Sequence, residues 1–389
     1  MSTITQNDIL KFEVKKIFMK QYRPKYYNKF KCIASECKDN CCIGWEIDID
    51  EKSLNFYKNT SGEIGKKLSK EIEQGETCSH FRLNGERCPF LNEKNLCEIY
   101  ISLGEKALCE ICTEHPRYHE WYGDWKESGI GLSCEAAAKI ILTEETPTEF
   151  EIVEIEENSD EEIDEFKFNK IFFARETALK LLENKEFSLN QKLKLLLCFG
   201  EELQENLDFK DWENFETVAK EYRETEILKN IKFSQENENS DFKNFFKFLN
   251  ELEAIDESWK TSLKNIEENF EEIINSLEEI KNEFKNLEKV FEKIAGYFIY
   301  RYFCKTYFDK DLLSKIMLSI FSCIFISLLN GEKYIKNKKF GIEEQIETAK
   351  LYSKQIEYCE ENLNKLCESF WSGESITQTQ ILSLTDIIF

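Results

Sequence analysis

The stretch LKNIEENFEEIINSLEEIKNEFKNLEKVFEKIAGYF, residues 263–298, decides the fold class of the second half of the chain. Apolar residues recur along it at alternating steps of three and four, which is the spacing of a heptad pattern with one apolar seam. The residues of this seam are Leu263, Ile266, Phe270, Ile273, Leu277, Ile280, Phe284, Leu287, Phe291, Ile294 and Phe298. The pattern predicts one long helix, or two, packed in a bundle, with Gly296 as a candidate break. A dimeric coiled coil is the alternative and leaves a homo-oligomer open.

The residues around this seam have the same helical character. No proline follows Pro147, and the stretch IMLSIFSCIFISLL, residues 316–329, has 14 residues without a charge. This is short of the roughly 17–25 residues that a membrane-spanning helix needs. We therefore predict a buried core helix and no transmembrane segment, with peripheral membrane contact as the alternative. Five single cysteines in this half are expected to pack as small hydrophobes; they are Cys198, Cys304, Cys323, Cys359 and Cys367.

The first 150 residues have a different composition. They contain all four prolines, all three histidines and ten of the 15 cysteines. Glycine and proline mark turns, so this region is predicted to be loop-rich. A region with so little regular structure usually needs covalent or metal staples to order it. The sequence thus predicts a mainly α protein, in which a loop-rich, cysteine-rich, metal-binding N-terminal domain precedes an all-helical C-terminal domain.

An acidic segment separates the two parts. Residues 144–165 contain twelve acidic side chains and no basic one, as is typical of a solvated linker. The predicted domains are therefore 1–143, the linker 144–165, and the helical domain 166–389. Within the linker, the alternation FEIVEI, residues 150–155, is an alternative signal for a short edge strand.

The charge balance and the N-terminus bear on partners and location. The net charge is −23, with 75 acidic and 52 basic residues, which argues against a nucleic-acid binder. A partner that carries basic groups fits this charge better. The N-terminal MSTITQNDILKFEVKKIFMK lacks the apolar segment of a secretory signal, so we expect a cytoplasmic location.

Ten cysteines fall between Cys32 and Cys134. Disulfides are disfavoured because the cytosol keeps thiols reduced. Zinc is an alternative, although the region has one CxxC pair, Cys109 with Cys112, where zinc sites usually have two. An iron–sulfur cluster is favoured, since four cysteines within twelve residues suit a loop around a cluster and later thiols could complete it. Ten thiols could serve two sites.

The cysteine spacing and the absence of some motifs argue against several enzyme classes, and the adjacent cysteines limit which thiols can bind one metal. Cys37 and Cys41 fit the CxxxCxxC signature of radical S-adenosylmethionine enzymes, but Gly44 takes the third position. No Walker loop, GxSxG or GxGxxG motif is present. Adjacent Cys41 and Cys42 rarely bind one metal together, so one of them is expected to pack or to serve a second site.

Several other side chains near the cysteines are candidates. His115 and His119 are four residues apart, a spacing compatible with metal ligation, although Pro116 between them favours a loop and a polar structural role. Arg117 is expected to clamp a loop or form a salt bridge, with a carboxylate of substrate or cofactor as the alternative.

Two carboxylates and three tryptophans complete the candidates. Asp48 and Asp50 alternate with apolar neighbours, and we expect them to be solvated, with recognition of a lysine ammonium as the functional alternative. Large aromatic side chains dominate small cores, so packing around the cysteines is expected, with cofactor stacking as the alternative. These tryptophans are Trp45, Trp121 and Trp125.

Four motifs resemble the flagellin lysine N-methylase family: FKCIASECKDNCCIGWEIDID (30–50), RCPFLNEKNLCEIY (87–100), LCEICTEHPRY (108–118) and GLSCEAAAKIIL (131–142). The resemblance implies methyl transfer from S-adenosylmethionine to lysine side chains of flagellin in the cytoplasm. It also implies an oxygen-sensitive [4Fe-4S] cluster, although a broader group of iron- or zinc-chelating domains shares part of the pattern. Cys78 lies outside the matching motifs. The positions that match the cluster-binding cysteines are Cys32, Cys37, Cys41, Cys42, Cys88, Cys97, Cys109, Cys112 and Cys134.

Three functional hypotheses follow from the sequence. The first is a protein-lysine methyltransferase, which needs a neutral amine for a polar reaction or the cluster as electron donor for a radical one. The second is a non-catalytic protein-binding module stabilised by zinc or iron–sulfur. The third is a redox or metal-handling protein. The sequence assigns neither a catalytic residue nor the S-adenosylmethionine site.

Overall fold

The structure is a computed structural model that describes residues 18–389 except 39, 76–77, 145–147, 158, 160, 234–241 and 256. The strands of this part are β1 (Met19–Pro24), β2 (Asp48–Ile49), β3 (Ile72–Gln74), β4 (Ser79–Phe81), β5 (Arg117–Tyr122), β6 (Trp125–Ile130) and β7 (Phe150–Ile155). The first nine helices are α1 (Glu51–Lys58), α2 (Gly62–Glu71), α3 (Glu98–Leu103), α4 (Glu110–Glu114), α5 (Glu135–Thr143), α6 (Glu165–Glu183), α7 (Leu189–Asp208), α8 (Trp212–Glu221) and α9 (Thr225–Leu228). They are followed by α10 (Lys243–Glu251), α11 (Glu257–Glu268), α12 (Phe270–Glu283), α13 (Leu287–Tyr302), α14 (Thr306–Asp309), α15 (Leu312–Asn337), α16 (Ile342–Ile356), α17 (Glu360–Ser372) and α18 (Gln378–Ile388).

The prediction of a mainly α protein with an all-helical C-terminal part is confirmed. The N-terminal part is more regular than predicted, because six of the seven strands of the described chain lie in it and the seventh, β7, lies in the acidic segment. Gly123, one of the glycines that predicted loops, lies in the turn between β5 and β6. Its metal-binding character stays a prediction.

A four-stranded sheet connects the two parts, with the strand order β5–β6–β1–β7. β1 pairs parallel with β6, Lys20 opposite Trp125, and antiparallel with β7, Met19 opposite Ile155. FEIVEI therefore forms the edge strand β7, as its alternation indicated. That part of the acidic segment is a sheet strand and not a free linker.

A second, three-stranded sheet has the order β2–β4–β3 and belongs to the cysteine-rich part. It packs with α1, α2 and α3 on a small apolar core that includes Ile47, Phe81 and Phe90. This core is separate from the main core of the chain. The chain between β1 and β5 thus forms a small unit attached to the four-stranded sheet.

The helical part is built around α15, which contacts most of the other helices. The prediction of a buried core helix at residues 316–329 is confirmed, because these residues lie within α15 and are all buried. Among the described residues, α15 is the one helix long and apolar enough to cross a membrane, and 94% of its most apolar window is buried inside the chain.

The heptad run forms three helices, α11, α12 and α13. The breaks between them, at Asn269 and at residues 284–286, interrupt the predicted continuous seam. The seam residues nevertheless face the interior: Ile266, Ile280 and Ile294 are fully buried. Gly296 lies within α13, so the predicted break there is wrong. A helical glycine costs only about 1 kcal/mol relative to alanine, and burial of its neighbours outweighs that.

The main core includes side chains from both sides of the acidic segment. Tyr26, Leu132 and Ala137 from the N-terminal part pack in the same apolar cluster as Phe298 and Tyr352 from the helical part. The two parts therefore share one interior, and the surface between them is a natural place for a site.

Candidate functional site

Five cysteines surround the small core of the N-terminal part, and we call them the cysteine core: Cys42, Cys88, Cys97, Cys109 and Cys112. Backbone pairing brings their segments together. The N–H of Cys88 donates to the carbonyl of Cys42 at 2.8 Å, and a β-bridge joins Leu91 to Cys97. Three of the four family motifs thus meet in one place.

The CxxC pair lies at the start of α4, where the Sγ atoms of Cys109 and Cys112 are 3.4 Å apart. Asp50 fixes this helix, because its carboxylate accepts from the N–H of Glu110 at 2.9 Å and from the N–H of Ser53 at 2.9 Å. The hydroxyl of Tyr57 donates to the carbonyl of Ala107 at 2.7 Å. These bonds hold the two thiols against the core.

The thiols of the cysteine core influence one another's ionisation. The hydrogen bond between Cys109 and Cys112 lowers the pKa of Cys109 and raises the pKa of Cys112. Burial raises the pKa of Cys88 to about 11, and the neighbouring thiols of Cys97 and Cys109 act in the same direction. Ionisation of one thiol in the pair therefore opposes ionisation of the other, and a bound cation would offset that repulsion.

A second group of thiols lies beside the first. Burial raises the pKa of Cys134 to about 11, and Cys41 and Cys32 are near enough to raise it further. Cys41 also hydrogen-bonds to Cys42, which raises the pKa of Cys42. The Sγ of Cys37 donates to Glu135 at 3.7 Å. The nine cysteines therefore form two adjacent groups joined by the Cys41–Cys42 pair.

Thiolates are the ligands that zinc and iron–sulfur clusters take, so the residue types of the cysteine core are compatible with a bound metal group. In the described part of the chain, no three or more His, Cys, Asp or Glu side chains are placed so that they could hold a metal ion. Cys78 lies in the turn between β3 and β4.

The histidines and Arg117 have structural contacts. His115 ends α4 and His119 lies in β5, so their four-residue spacing does not place them on one helical face. Burial lowers the pKa of His115 to about 4, and its ring meets Tyr358 edge-on. His119 bonds to Ser128 at 2.8 Å. Arg117 lies over the Phe30 ring at 5.2 Å, which makes it a loop clamp.

The remaining candidates also have structural contacts. Asp48 is exposed, as predicted, whereas Asp50 is the N-cap of α1. Trp125 stacks on Tyr22 in the main core, with ring centroids 5.6 Å apart. The prediction that it packs around the cysteines is wrong, because β6 directs it towards α6.

The other two tryptophans lie at the edges of the N-terminal part. Trp121 is largely exposed and carries Lys126 over its ring at 4.9 Å. Trp45 lies within the first cysteine motif, three residues after Cys42, and its ring meets that of Tyr358 of the helical part at 5.4 Å.

A buried ionic network lies between the two parts, and nothing in the sequence spacing indicated it. The Glu357 carboxylate, whose side chain is 0% exposed, pairs with Arg301 at 2.9 Å. It accepts from the hydroxyls of Tyr297 and Tyr302 at 3.0 Å each, and from Ser353 at 2.5 Å. Every buried oxygen of this carboxylate is therefore satisfied, which a buried charge requires.

The network reaches the N-terminal part through its aromatic members. The hydroxyl of Tyr297 accepts from Arg301 at 2.6 Å and from the N–H of Leu132 at 3.3 Å, two residues before Cys134. The Arg301 guanidinium lies over the Tyr118 ring at 4.3 Å. The helical part is thus connected by hydrogen bonds to the segment that carries the last predicted ligand.

A cavity of about 540 Å³, which we call the junction cavity, opens between the two parts. Its floor is aromatic and apolar and includes Tyr26, Phe150, Gly296, Tyr297 and Tyr300. Its rim carries charged side chains of both signs: Glu183, Lys185, Lys192, Glu288, Lys289, Glu292 and Lys293. Tyr297 belongs both to this floor and to the ionic network.

Two of the rim lysines are already engaged. Lys192 pairs with Glu292 at 2.5 Å, and the Nζ of Lys293 donates to the carbonyl of Leu142 at 3.1 Å. Burial raises the pKa of Glu183, whose carboxylate forms no hydrogen bond or close ion pair with the described residues. The rim therefore has a carboxylate available for a ligand, and its Lys185 and Lys289 form no close ion pair with the described residues.

The fold and the thiol groups define a helical protein with an attached cysteine-rich unit. The family model described as the FliB lysine N-methylase C-terminal domain matches residues 175–384, which is more than half of the chain. The chain therefore belongs to the FliB lysine N-methylase family, and the predicted family is confirmed.

Curated relatives carry related names. Two proteins named Lysine-N-methylase, from Salmonella typhimurium and Salmonella choleraesuis, are each 29% identical over 131 residues, which cover 31% of this chain and 32% of theirs. The Flagellar biosynthetic protein FliU of Salmonella muenchen is 29% identical over 131 residues, or 76% of its length. The match thus spans about a third of the two lysine N-methylases. No solved structure matches the chain significantly.

Proposed function

We propose that this protein is a lysine N-methyltransferase that acts on a protein substrate. The observation that carries the proposal is the match of the lysine N-methylase domain to residues 175–384. The lysine N-methylase names of two relatives support it. The methyl donor that we propose is S-adenosylmethionine, and the substrate is flagellin, methylated in the cytoplasm before export.

The net reaction balances without any further reagent. The lysine Nζ gains a methyl group, the carbon–sulfur bond of the donor breaks with its electron pair left on sulfur, and one proton is released. The donor becomes S-adenosylhomocysteine. Because an ammonium has no free electron pair, the protein must favour the neutral amine, which burial in a low-dielectric site does.

We also propose that the N-terminal cysteines hold a [4Fe-4S] cluster, with zinc as the alternative. A bound [4Fe-4S] cluster supplies a one-electron donor and acceptor. The chain's own contribution is placement: Asp50 and Tyr57 hold the segment that presents Cys109 and Cys112. The adjacent group around Cys41 and Cys134 could complete the ligand set or form a second one.

The charge of the chain supports a lysine-bearing substrate. With a net charge of −23, the surface attracts a basic protein segment, and electrostatic steering of this kind raises the association rate. This attraction is screened by salt, because the Debye length is only about 8 Å at physiological ionic strength. Methylation of a basic substrate should therefore slow as salt is added.

The test is a methylation assay on the full chain, purified without oxygen. Flagellin is incubated with S-adenosylmethionine carrying an isotopically labelled methyl group, and its peptides are analysed by mass spectrometry. We expect labelled lysines with the wild type and with Cys323→Ser, whose thiol lies in the helical core away from the cysteine core. Absence of label on flagellin and on other lysine-bearing proteins would overturn the proposal and favour a binding module.

The metal is tested separately by iron, sulfide and zinc analysis of the same preparation. About four irons and four sulfides per chain would support one [4Fe-4S] cluster. Zinc without sulfide would instead support a structural metal and would remove the electron-transfer role.

A further inference from the structure

The junction cavity has the size and lining of a small-molecule site. Its volume of about 540 Å³ lies within the roughly 300–1,000 Å³ that is usual for ligand pockets. It lies where the two parts of the chain meet, and such interfaces are preferred places for ligands. Helices α5, α6, α7 and α13 and strand β7 contribute to it, together with Tyr26.

The floor of the cavity suits a flat or cationic group. Tyr26, Tyr297 and Tyr300 are buried and line it together with Phe150. Aromatic faces attract cations and stack on flat heterocycles. Gly296 keeps α13 from filling the space, because a Cβ there would meet only Leu179 and Leu182, at 3.8 and 3.9 Å.

Within the described part of the chain, the rim of the cavity carries unpaired charges of both signs, as binding of a zwitterion requires. Two of its carboxylates are already paired, Glu288 with Lys281 at 3.0 Å and Glu292 with Lys192 at 2.5 Å, and the amine of Lys293 donates to a backbone carbonyl. Glu183 is available to hydroxyl or amino donors. Lys289, for which the described residues provide no close ion pair, is available to a carboxylate.

We propose that the junction cavity binds S-adenosylmethionine, with the adenine and the sulfonium against the tyrosine floor and the amino-acid end at the rim between Glu183 and Lys289. This assignment rests on the proposed methyltransferase function. The ligand's three chemical parts, a flat heterocycle, a cation and a zwitterion, correspond to the floor and the two rim charges.

Tyr297 acts here as a positioning residue. Its ring lines the cavity, while its hydroxyl is held by Arg301 and Glu357 and accepts from the N–H of Leu132. The network therefore fixes one wall of the cavity relative to the segment that carries Cys134. A bound donor would lie against the wall that connects the helical part to the cysteine-rich part.

The test is equilibrium binding by isothermal titration calorimetry, on the full chain purified without oxygen. The ligands are S-adenosylmethionine and S-adenosylhomocysteine, which lacks the positive charge on sulfur. We expect the wild type to bind S-adenosylmethionine more tightly, because only its sulfonium gains from the tyrosine faces. Gly296→Leu should fill the cavity and weaken binding by at least about tenfold.

Matched variants separate loss of the site from loss of the fold. Gly296→Ala should bind within about twofold of the wild type, because the added Cβ makes only ordinary contacts. Glu183→Gln should weaken binding by about five- to tenfold. Glu165→Gln, at the opposite end of α6 and away from the cavity, should not. Circular dichroism should show the same helix content in all variants.

The outcomes distinguish the site from the function. If the wild type binds S-adenosylmethionine while folded Gly296→Leu and Glu183→Gln bind it equally well, the cavity assignment is overturned and the methyltransferase proposal stands. If the wild type binds the donor in the cavity but methylates nothing, the function fails and the site stands. If the wild type binds no S-adenosylmethionine, both are overturned.

Discussion

The cysteine core and the main core differ in what can stabilise them. The main core surrounds the 26-residue helix α15 and buries many aromatic side chains, so apolar burial alone can stabilise it. The small core rests on strands of two or three residues and on short helices. A core of that size usually needs a staple. The difference teaches that thiols grouped in a small core are candidates for metal ligation, whereas single thiols in a large core pack as small apolar side chains.

The largest expected effect contrasts two buried cysteines. Cys109→Ser should remove most of the bound metal and expose residues 31–112 to proteolysis, while the helical part stays folded, because the small core loses its staple. Cys323→Ser should keep its metal and cost about 1–3 kcal/mol, the penalty of a polar group in an apolar interior. Metal analysis and limited proteolysis measure both.

Equal metal content in the two variants would contradict this contrast. It would show that Cys109 packs in the small core as Cys323 packs in the main core. The ligand set would then have to come from the thiols around Cys134.

The second prediction concerns the network that joins the two regions. Glu357→Ala should lower the free energy of unfolding by about 3–5 kcal/mol, because it leaves the buried Arg301 guanidinium without its counter-charge. Glu361→Ala removes an exposed partner of Lys365 and should cost no more than about 1 kcal/mol. Urea unfolding followed by circular dichroism measures both, and similar losses would show that the network is not important for stability.

The third prediction compares two helix caps, one in each region. Asp50→Ala should cost about 1–2 kcal/mol, because Asp50 accepts from Ser53 and also from Glu110, beside Cys109. Asp211→Ala removes one such bond, to Asn214, and should cost about 1 kcal/mol. Hydrogen exchange at α4 should increase only in Asp50→Ala; unchanged exchange there would argue against a link to the cysteine core.

Lowering the pH should remove the stabilisation that the Asp50 carboxylate provides. Burial alone would raise its pKa, but the N–H bonds from Glu110 and Ser53 outweigh burial and lower it. The stabilisation is therefore present above the unfolded-state pKa of about 3.9 and is lost as the pH falls through the lower folded-state pKa.

The smallest effect is a pH dependence at the boundary of the regions. Burial lowers the pKa of His115 to about 4, whereas the unfolded-state value is about 6.5, so the unfolded chain binds the proton more readily. This histidine's stabilising contribution should fall by about 1 kcal/mol between about pH 6.5 and 5.5. His115→Phe keeps the aromatic contact with Tyr358 and should flatten that slope. If the free energy of unfolding changed with pH in the same way in the wild type and in His115→Phe, the assignment of this pH dependence to His115 would be refuted.

Local patterns predicted much of the fold and little of the site. The spacing of Ile266, Ile280 and Ile294 indicated buried helix faces, and FEIVEI indicated β7, because periodicity reports which side of an element is buried. The pairing of Glu357 with Arg301 could not be predicted, since Glu357 follows α16 while Arg301 lies in α13, and only tertiary packing brings them together. Likewise, nothing in the spacing around Gly296 indicates a cavity floor.

The position of β1 within the four-stranded sheet affects the order in which the protein can fold during synthesis. Of the strands in the described residues, β1 is the first to leave the ribosome, yet it lies between β6 and β7, which are made much later. Tyr300, 278 residues after Tyr22, donates its hydroxyl to the Tyr22 carbonyl. The cysteine-rich unit is therefore translated before the sheet that anchors it can close, so its thiols have time to gather before long-range pairing fixes the ends of the loop.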